Sequence, residues 1–210
     1  MFASAKTVVF YGPAYEKEAK ALNADESIEL TKITKADLPR TIESADKALT
    51  FEIKVVKGTM MYPSIAQGYL NLPASWSLYY TTAAEKKLDK ITYYFVSAAN
   101  AKSQAVYTED GSTEYTQWDN ADGATEFSWV AEKDQTQQWL RIRNVQMGGF
   151  IKYITVEYSD ATNGAADAFI SGSDAPVQYF NLLGQPVSEP RTGLYIMKQG
   201  KKTAKVYLRK

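Results

Sequence analysis

Residues 48–57 (ALTFEIKVVK) alternate in character one by one: Leu49, Phe51, Ile53 and Val55 against Thr50, Glu52 and Lys54. Alternation of this kind predicts a strand with one face on a core and the other in solvent. The same pattern recurs along the chain. Residues 6–11 (KTVVFY) are β-branched and aromatic and end at Gly12-Pro13, which reads as a strand and a turn. Residues 27–33 read as a second strand. Residues 68–72, 75–81 and 86–98 form three more, with Pro73 between the first two. Residues 104–108 and 113–118 flank Asp110-Gly111 and predict a hairpin. In residues 125–131 Phe127 and Trp129 point inward; in residues 138–145 Leu140 and Ile142 do. Residues 150–158 (FIKYITVEY) complete the series after Gly148-Gly149. Residues 15–22 (YEKEAKAL) are the one good helical stretch, short enough to be marginal by itself. Residues 34–47 and 60–67 read as connections.

Many short strands at regular spacing, with turn signals between them, predict an all-β fold, and a jelly-roll-like β-sandwich over residues 1–158. Residues 159–176 are small, polar and turn-rich and read as a linker. Residues 177–210 read as a small C-terminal β-hairpin module.

With 210 residues, one domain plus an appendage is the natural organisation. The chain has no cysteine and no histidine. Disulfides, thiolate chemistry, a Ser-His-Asp triad and His- or Cys-ligated metals are therefore excluded. Lysine plus arginine and aspartate plus glutamate both number 24, so no broad field attracts nucleic acid or an anionic membrane. No apolar run is long enough to span a bilayer. Nothing implies a cofactor. The first residues lack a basic segment followed by a long apolar one. That start suits either a cytosolic protein or a mature chain without its signal peptide.

In the last 32 residues, YFNLLGQPV is followed by GLYIMKQGKKTAKVYLRK. Gly184 suits a turn with positive φ, and Leu194 and Ile196 alternate with Tyr195 and Met197. The Asn-Leu-Leu-Gly-Gln turn, the Gly-Leu-Tyr-Ile strand and the closing basic strand resemble, in order, the C-terminal sorting (Por) region of type IX secretion cargo in Bacteroidetes. The resemblance implies a secreted or outer-surface protein, engaging an export machinery through this tail. A plain hairpin capping the sandwich is the alternative. In the body, residues 68–95, the Tyr115/Trp118 segment, TEFSWVA and IKYITVEY are similar to β-sandwich domains of secreted and surface proteins in the same bacteria, which implies a jelly-roll-like fold and a binding or adhesive role.

Candidate chemistry rests on aromatic residues: 15 Tyr, 4 Trp and 8 Phe. Sugars stack their C–H faces on such rings and offer hydroxyls to carboxylates and amides. Trp118 enters a turn beside Asp119 and Asn120, with Tyr115 just before it; Tyr62 and Trp76 lie on or near loops and can join the same rim. Trp118, Asp119, Asn120, Tyr115 and Tyr62 are thus the expected ligand-binding residues, with an ordinary half-buried Trp118 as the alternative. Trp129 reads as core. Trp139 faces out with Arg141 and Arg143, as a ligand face or a cation–π ladder. Asp119, Asp122 and Glu126 around Gly123 suit Ca²⁺ by ligand type but lack EF-hand spacing, and an Asx turn is the plainer account. Glu109, Asp110, Glu114, Glu126 and Glu132 offer carboxylates for hydrolysis, but no spacing selects a pair. The expectation is a secreted or surface binding protein for carbohydrate, not an enzyme. A structural or adhesive protein that binds another protein is the alternative, and a carboxylate-dependent glycosidase the third reading.

Overall fold

The alternation along residues 49–54, with Leu49, Phe51 and Ile53 buried and Thr50, Glu52 and Lys54 partly exposed, sets one strand on a core between two stacked sheets, whereas residues 8–11 and 104–107 are buried on both faces. The structure is a computed structural model that describes residues 5–55, 61–120, 123–132, 136–146, 148–161, 176–181, 183–188, 190–191, 193–200 and 202–208. The chain divides into two compact units, Met1–Asp160 and Ala161–Lys210.

In the first unit the strands are β1 (Lys6–Tyr11), β2 (Glu26–Glu29), β3 (Arg40–Glu43), β4 (Leu49–Val55), β5 (Ser64–Ala66), β6 (Tyr69–Leu72), β7 (Trp76–Thr82), β8 (Lys86–Phe95), β9 (Gln104–Tyr107), β10 (Thr116–Trp118), β11 (Glu126–Val130), β12 (Trp139–Asn144) and β13 (Gly149–Asp160). A 3-10 turn (Pro13–Tyr15) and a short α-helix, α1 (Glu16–Lys20), join β1 to β2. The first sheet has the order β11-β8-β13-β1-β2, with β6 also on β13 and β5 on β6. The second has the order β10-β9-β12-β7-β4-β3. Among the described residues only β1 and β2 pair in parallel, across the short helix. From β6 to β13 the chain passes between sheets to give β6-β13-β8-β11 facing β7-β12-β9-β10, which is the eight-stranded jelly roll. The fold is all-β, as the alternation implies.

β13 is the spine of the first sheet. It pairs with β8 along one side and with β6 and then β1 along the other. Gly149 opens it where backbone and side chains crowd: a Cβ there would meet Asn144 Nδ2 at 2.6 Å. Two strands lie where connections were expected. β3 has a single apolar residue, Ile42, and β5 is three residues long. Both are at sheet edges, where burial does not impose a pattern.

Rings hold the two sheets together. Phe10 of β1 stacks on Phe51 of β4 at 4.5 Å, and Phe51 packs on Tyr80 of β7 at 5.4 Å. The Tyr80 hydroxyl donates across to the Tyr93 hydroxyl of β8 at 2.9 Å. Both phenols are fully buried, and burial pushes both acidities well above the ordinary tyrosine value. Tyr93 then meets Phe127 of β11 edge-on at 5.5 Å.

In the second unit β14 (Val177–Phe180), β15 (Pro186–Val187), β16 (Gly193–Gln199) and β17 (Lys202–Leu208) form an antiparallel sheet in the order β15-β14-β16-β17. The expected hairpin is β16–β17, and two further strands extend it. Asn181 builds the β14–β15 turn. Its Oδ1 accepts the backbone N–H groups of Leu183 and Gln185 at 3.0 and 2.9 Å, and Gly184 supplies φ +81°. The expected linker begins inside β13, which runs on through Asp160; residues 162–175 lie outside the described residues.

A charged clip ties the β3–β4 turn to the first sheet. Asp46 accepts from Lys6 Nζ at 2.6 Å, Ser44 Oγ at 2.7 Å, the Ala48 N–H at 3.0 Å and the Tyr158 hydroxyl at 3.1 Å. Burial opposes the charge, but the Lys6, Ala48, Ser44 and Tyr158 donors outweigh it and hold the carboxyl well below its usual range. A carboxyl depressed by folding stabilises above its unfolded value, about pH 3.9, and loses that contribution as pH falls below it. Asp46→Asn is therefore expected to cost about 1–3 kcal/mol at pH 7. In denaturant titrations across pH, the difference from the parent should shrink below about pH 4; a difference constant down to pH 2 contradicts the clip.

Candidate functional site

β10 and β11 are the edge strands at one open side of the sandwich, one in each sheet. Edge position explains their composition. β10 (TQW) turns Thr116 and Trp118 inward, since these pair with Val106 and Gln104 of β9, and Gln117 outward. β11 (EFSWV) turns Phe127 and Trp129 inward. Between the two edges the inward rings border a groove of about 340 Å³. Val106, Trp118, Phe127 and Trp129 give its apolar lining, and Thr108, Gln117, Glu132 and Gln137 belong to its polar surround.

Trp118 is half-buried. It lies parallel to Phe95 at 6.5 Å, with planes 4° apart, and against Phe127 at 5.2 Å. One side of the indole is thus held by the core while the residue lines the groove. Trp129, also half-buried, packs against the same core from the other edge. Its expected place as plain core is corrected: it lines the groove with Trp118. Gln137 is positioned by its own amide, which donates to the carbonyl of Thr108 at 2.6 Å and to that of Trp139.

The turn between β10 and β11 is pinned by Asn120. Its Nδ2 donates to the carbonyls of Ala98, Ala101 and Ala124 at 3.2, 2.9 and 3.0 Å. Its Oδ1 accepts the Ala124 N–H at 2.8 Å. An amide this occupied serves the loop rather than a ligand. Asp119 is exposed and accepts from Gln117 Nε2 at 2.8 Å. Hydrogen bonds from Gln117 and Ser103 hold its carboxyl below the usual value. It borders a separate polar depression of about 370 Å³ with Lys102, Ser103, Asn120 and Gln146.

The five residues expected to share one rim are therefore divided by the fold. Trp118 faces the groove, and Asp119 lies outside it. Tyr115 stands on the outer face of the second sheet, 48% exposed and 5.2 Å from Tyr107. Tyr62 packs near Trp76 at 6.0 Å with Lys35 over its ring. Trp76 lies at the same end of the sheet as Trp118, about 14 Å away across three strand spacings. It is buried, and its Nε1 donates to the Met61 carbonyl at 2.8 Å. Of the acids proposed around Gly123, Asp122 lies outside the described residues, and among the described residues no cluster of three carboxylates could hold a metal.

The signal for Trp129 was present but weak. It sits in a short strand flanked by Ser128 and Val130, both exposed, the pattern of an edge rather than of a central strand.

No protein-family model and no curated protein sequence matches the chain. Among the described residues no helix is long and apolar enough to cross a membrane.

Proposed function

We propose that this protein binds carbohydrate without catalysis, through the groove between β10 and β11. The observation that carries this reading is the pairing of two half-buried tryptophans, Trp118 and Trp129, in one groove with amides and hydroxyls around it. Indole faces match the apolar faces of sugar rings, and the Thr108 and Thr116 hydroxyls with Gln137 Oε1 supply polar partners for the hydroxyls. Among its described lining residues Glu132 is the one carboxylate, whereas glycoside hydrolysis requires a facing pair.

The groove reading is tested by calorimetry against a panel of neutral oligosaccharides. Trp129→Ala is expected to weaken binding at least about tenfold, the loss of one stacking partner of roughly 1.4 kcal/mol or more. Trp118→Phe, which keeps the packing on Phe95 and Phe127, should weaken it less. Binding to none of the panel, or unaltered binding by Trp129→Ala, would overturn the proposal.

The same proposal takes the C-terminal unit as the export address that its resemblance to type IX sorting regions implies, and places the binding domain outside the cell. The Asn181–Gln185 turn and the β16–β17 hairpin support that reading by forming the ordered elements that the motif requires. Deletion of residues 177–210 is expected to abolish delivery to the cell exterior in fractionation. Unchanged delivery rules the address out.

A further inference from the structure

The chain is neutral as a whole, with 24 basic and 24 acidic residues, yet its charges are not evenly spread. Every described residue lining the groove falls within residues 103–140. That stretch holds eight acidic residues and a single basic one, Lys133. Three of the acids, Glu109, Asp110 and Glu114, stand exposed on the loop that leaves the groove at Thr108 and returns at Thr116. Asp119 at the end of β10 and Glu126 at the start of β11 are exposed as well. Charge guards an edge strand against pairing whatever its sign. A single sign along both edges does something further. It sets a negative potential over the groove between them, where low-dielectric walls concentrate it.

Inside the groove the side chains repeat that bias. Glu132 is the one charged side chain among the described lining residues. The amide N–H donors that could have met an anion are engaged within the protein. Gln137 Nε2 donates to the carbonyls of Thr108 and Trp139, and Gln117 Nε2 donates to Asp119. Ser128 Oγ shares a hydrogen bond with Thr92 Oγ1 at 2.9 Å. The side chains therefore offer a ligand a carboxylate, an amide oxygen and threonine hydroxyls beside two indoles. The carboxylate and the indole faces both attract a cation.

We infer that the groove takes an amino sugar, a glycan whose free ammonium groups pair with Glu132 while its ring faces stack on Trp118 and Trp129. The inference rests on the carbohydrate reading of the groove and names the class of sugar. Uronates and sulfated sugars meet the negative potential and the carboxylate, and are turned away. Glu132 is exposed, so its pair with an ammonium contributes modestly. The surrounding acids add an attraction that salt screens.

Calorimetry on the full chain at about pH 6, where amines of this class are protonated, compares the β-1,4-linked tetramers of glucose, N-acetylglucosamine and glucosamine. The second keeps the nitrogen without the charge. The glucosamine tetramer is expected to bind at least about threefold tighter than the other two, and added salt should shrink that preference. Glu132→Gln, which keeps the shape and drops the charge, should remove most of it. Trp129→Ala should weaken the glucosamine tetramer, which ties its binding to the groove. A neutral tetramer that binds and is weakened by Trp129→Ala, with no gain for glucosamine, overturns this inference and leaves the groove reading standing. A preference that survives Glu132→Gln, or glucosamine binding that Trp129→Ala does not touch, overturns it too. Binding of none of the three overturns it as well, and the groove reading falls with it only if the whole neutral panel also fails to bind.

Discussion

The two sheets are held face to face by a chain of aromatic rings that crosses between them repeatedly. It starts at Phe10 on Phe51, passes through Tyr80 to Tyr93, and continues by Phe127 to Trp118. Each crossing fixes the distance and register of a pair of strands that are far apart in sequence. The Tyr80–Tyr93 hydroxyl pair adds direction to this packing. Either hydroxyl alone, buried without its partner, costs more than the pair contributes, so the two positions specify each other.

The groove follows from where that chain of rings ends. At the β1–β4 side the sheets are closed by β2, β3 and the Asp46 clip. At the β10–β11 side both sheets stop at short edge strands, and the ring series ends at the groove. Trp118 is therefore the last residue of the core and the first of the groove. Packing on Phe95 and Phe127 fixes its ring before any ligand arrives, which reduces the ordering cost of binding. Asn120 does the same for the turn behind it. The proposed sugar site is thus rigid because it is continuous with the core.

Much of the fold was legible because burial on one face writes alternation into the chain. β4, with Leu49, Phe51 and Ile53 fully buried, was plain for that reason. β3 and β5 were not, since edge strands bury too little to leave a pattern. The site was less legible than the fold. Trp118 could be singled out by its neighbours, but its partner Trp129 belongs to the opposite sheet, and no local pattern records that two edges converge. Asp119 and Asn120 looked like ligand groups because aspartate and asparagine serve turns and ligands with the same atoms. Only their hydrogen bonds distinguish the two uses. Trp76, expected near a loop at the start of a strand and so able to reach a rim, is 3% exposed because it pairs with Val55 on the core face of the second sheet.

The central claim is that sugar contacts Trp118 and Trp129 while the other indoles stay as they are. Indole N–H signals resolve this directly in a two-dimensional ¹⁵N–¹H NMR titration with a neutral oligosaccharide. The account predicts that the Trp118 and Trp129 signals move in a saturable way. The Trp76 signal, whose N–H is bound to the Met61 carbonyl, should stay fixed. Titration shifts confined to Trp139, or absent from all four indoles across the neutral panel, would contradict it.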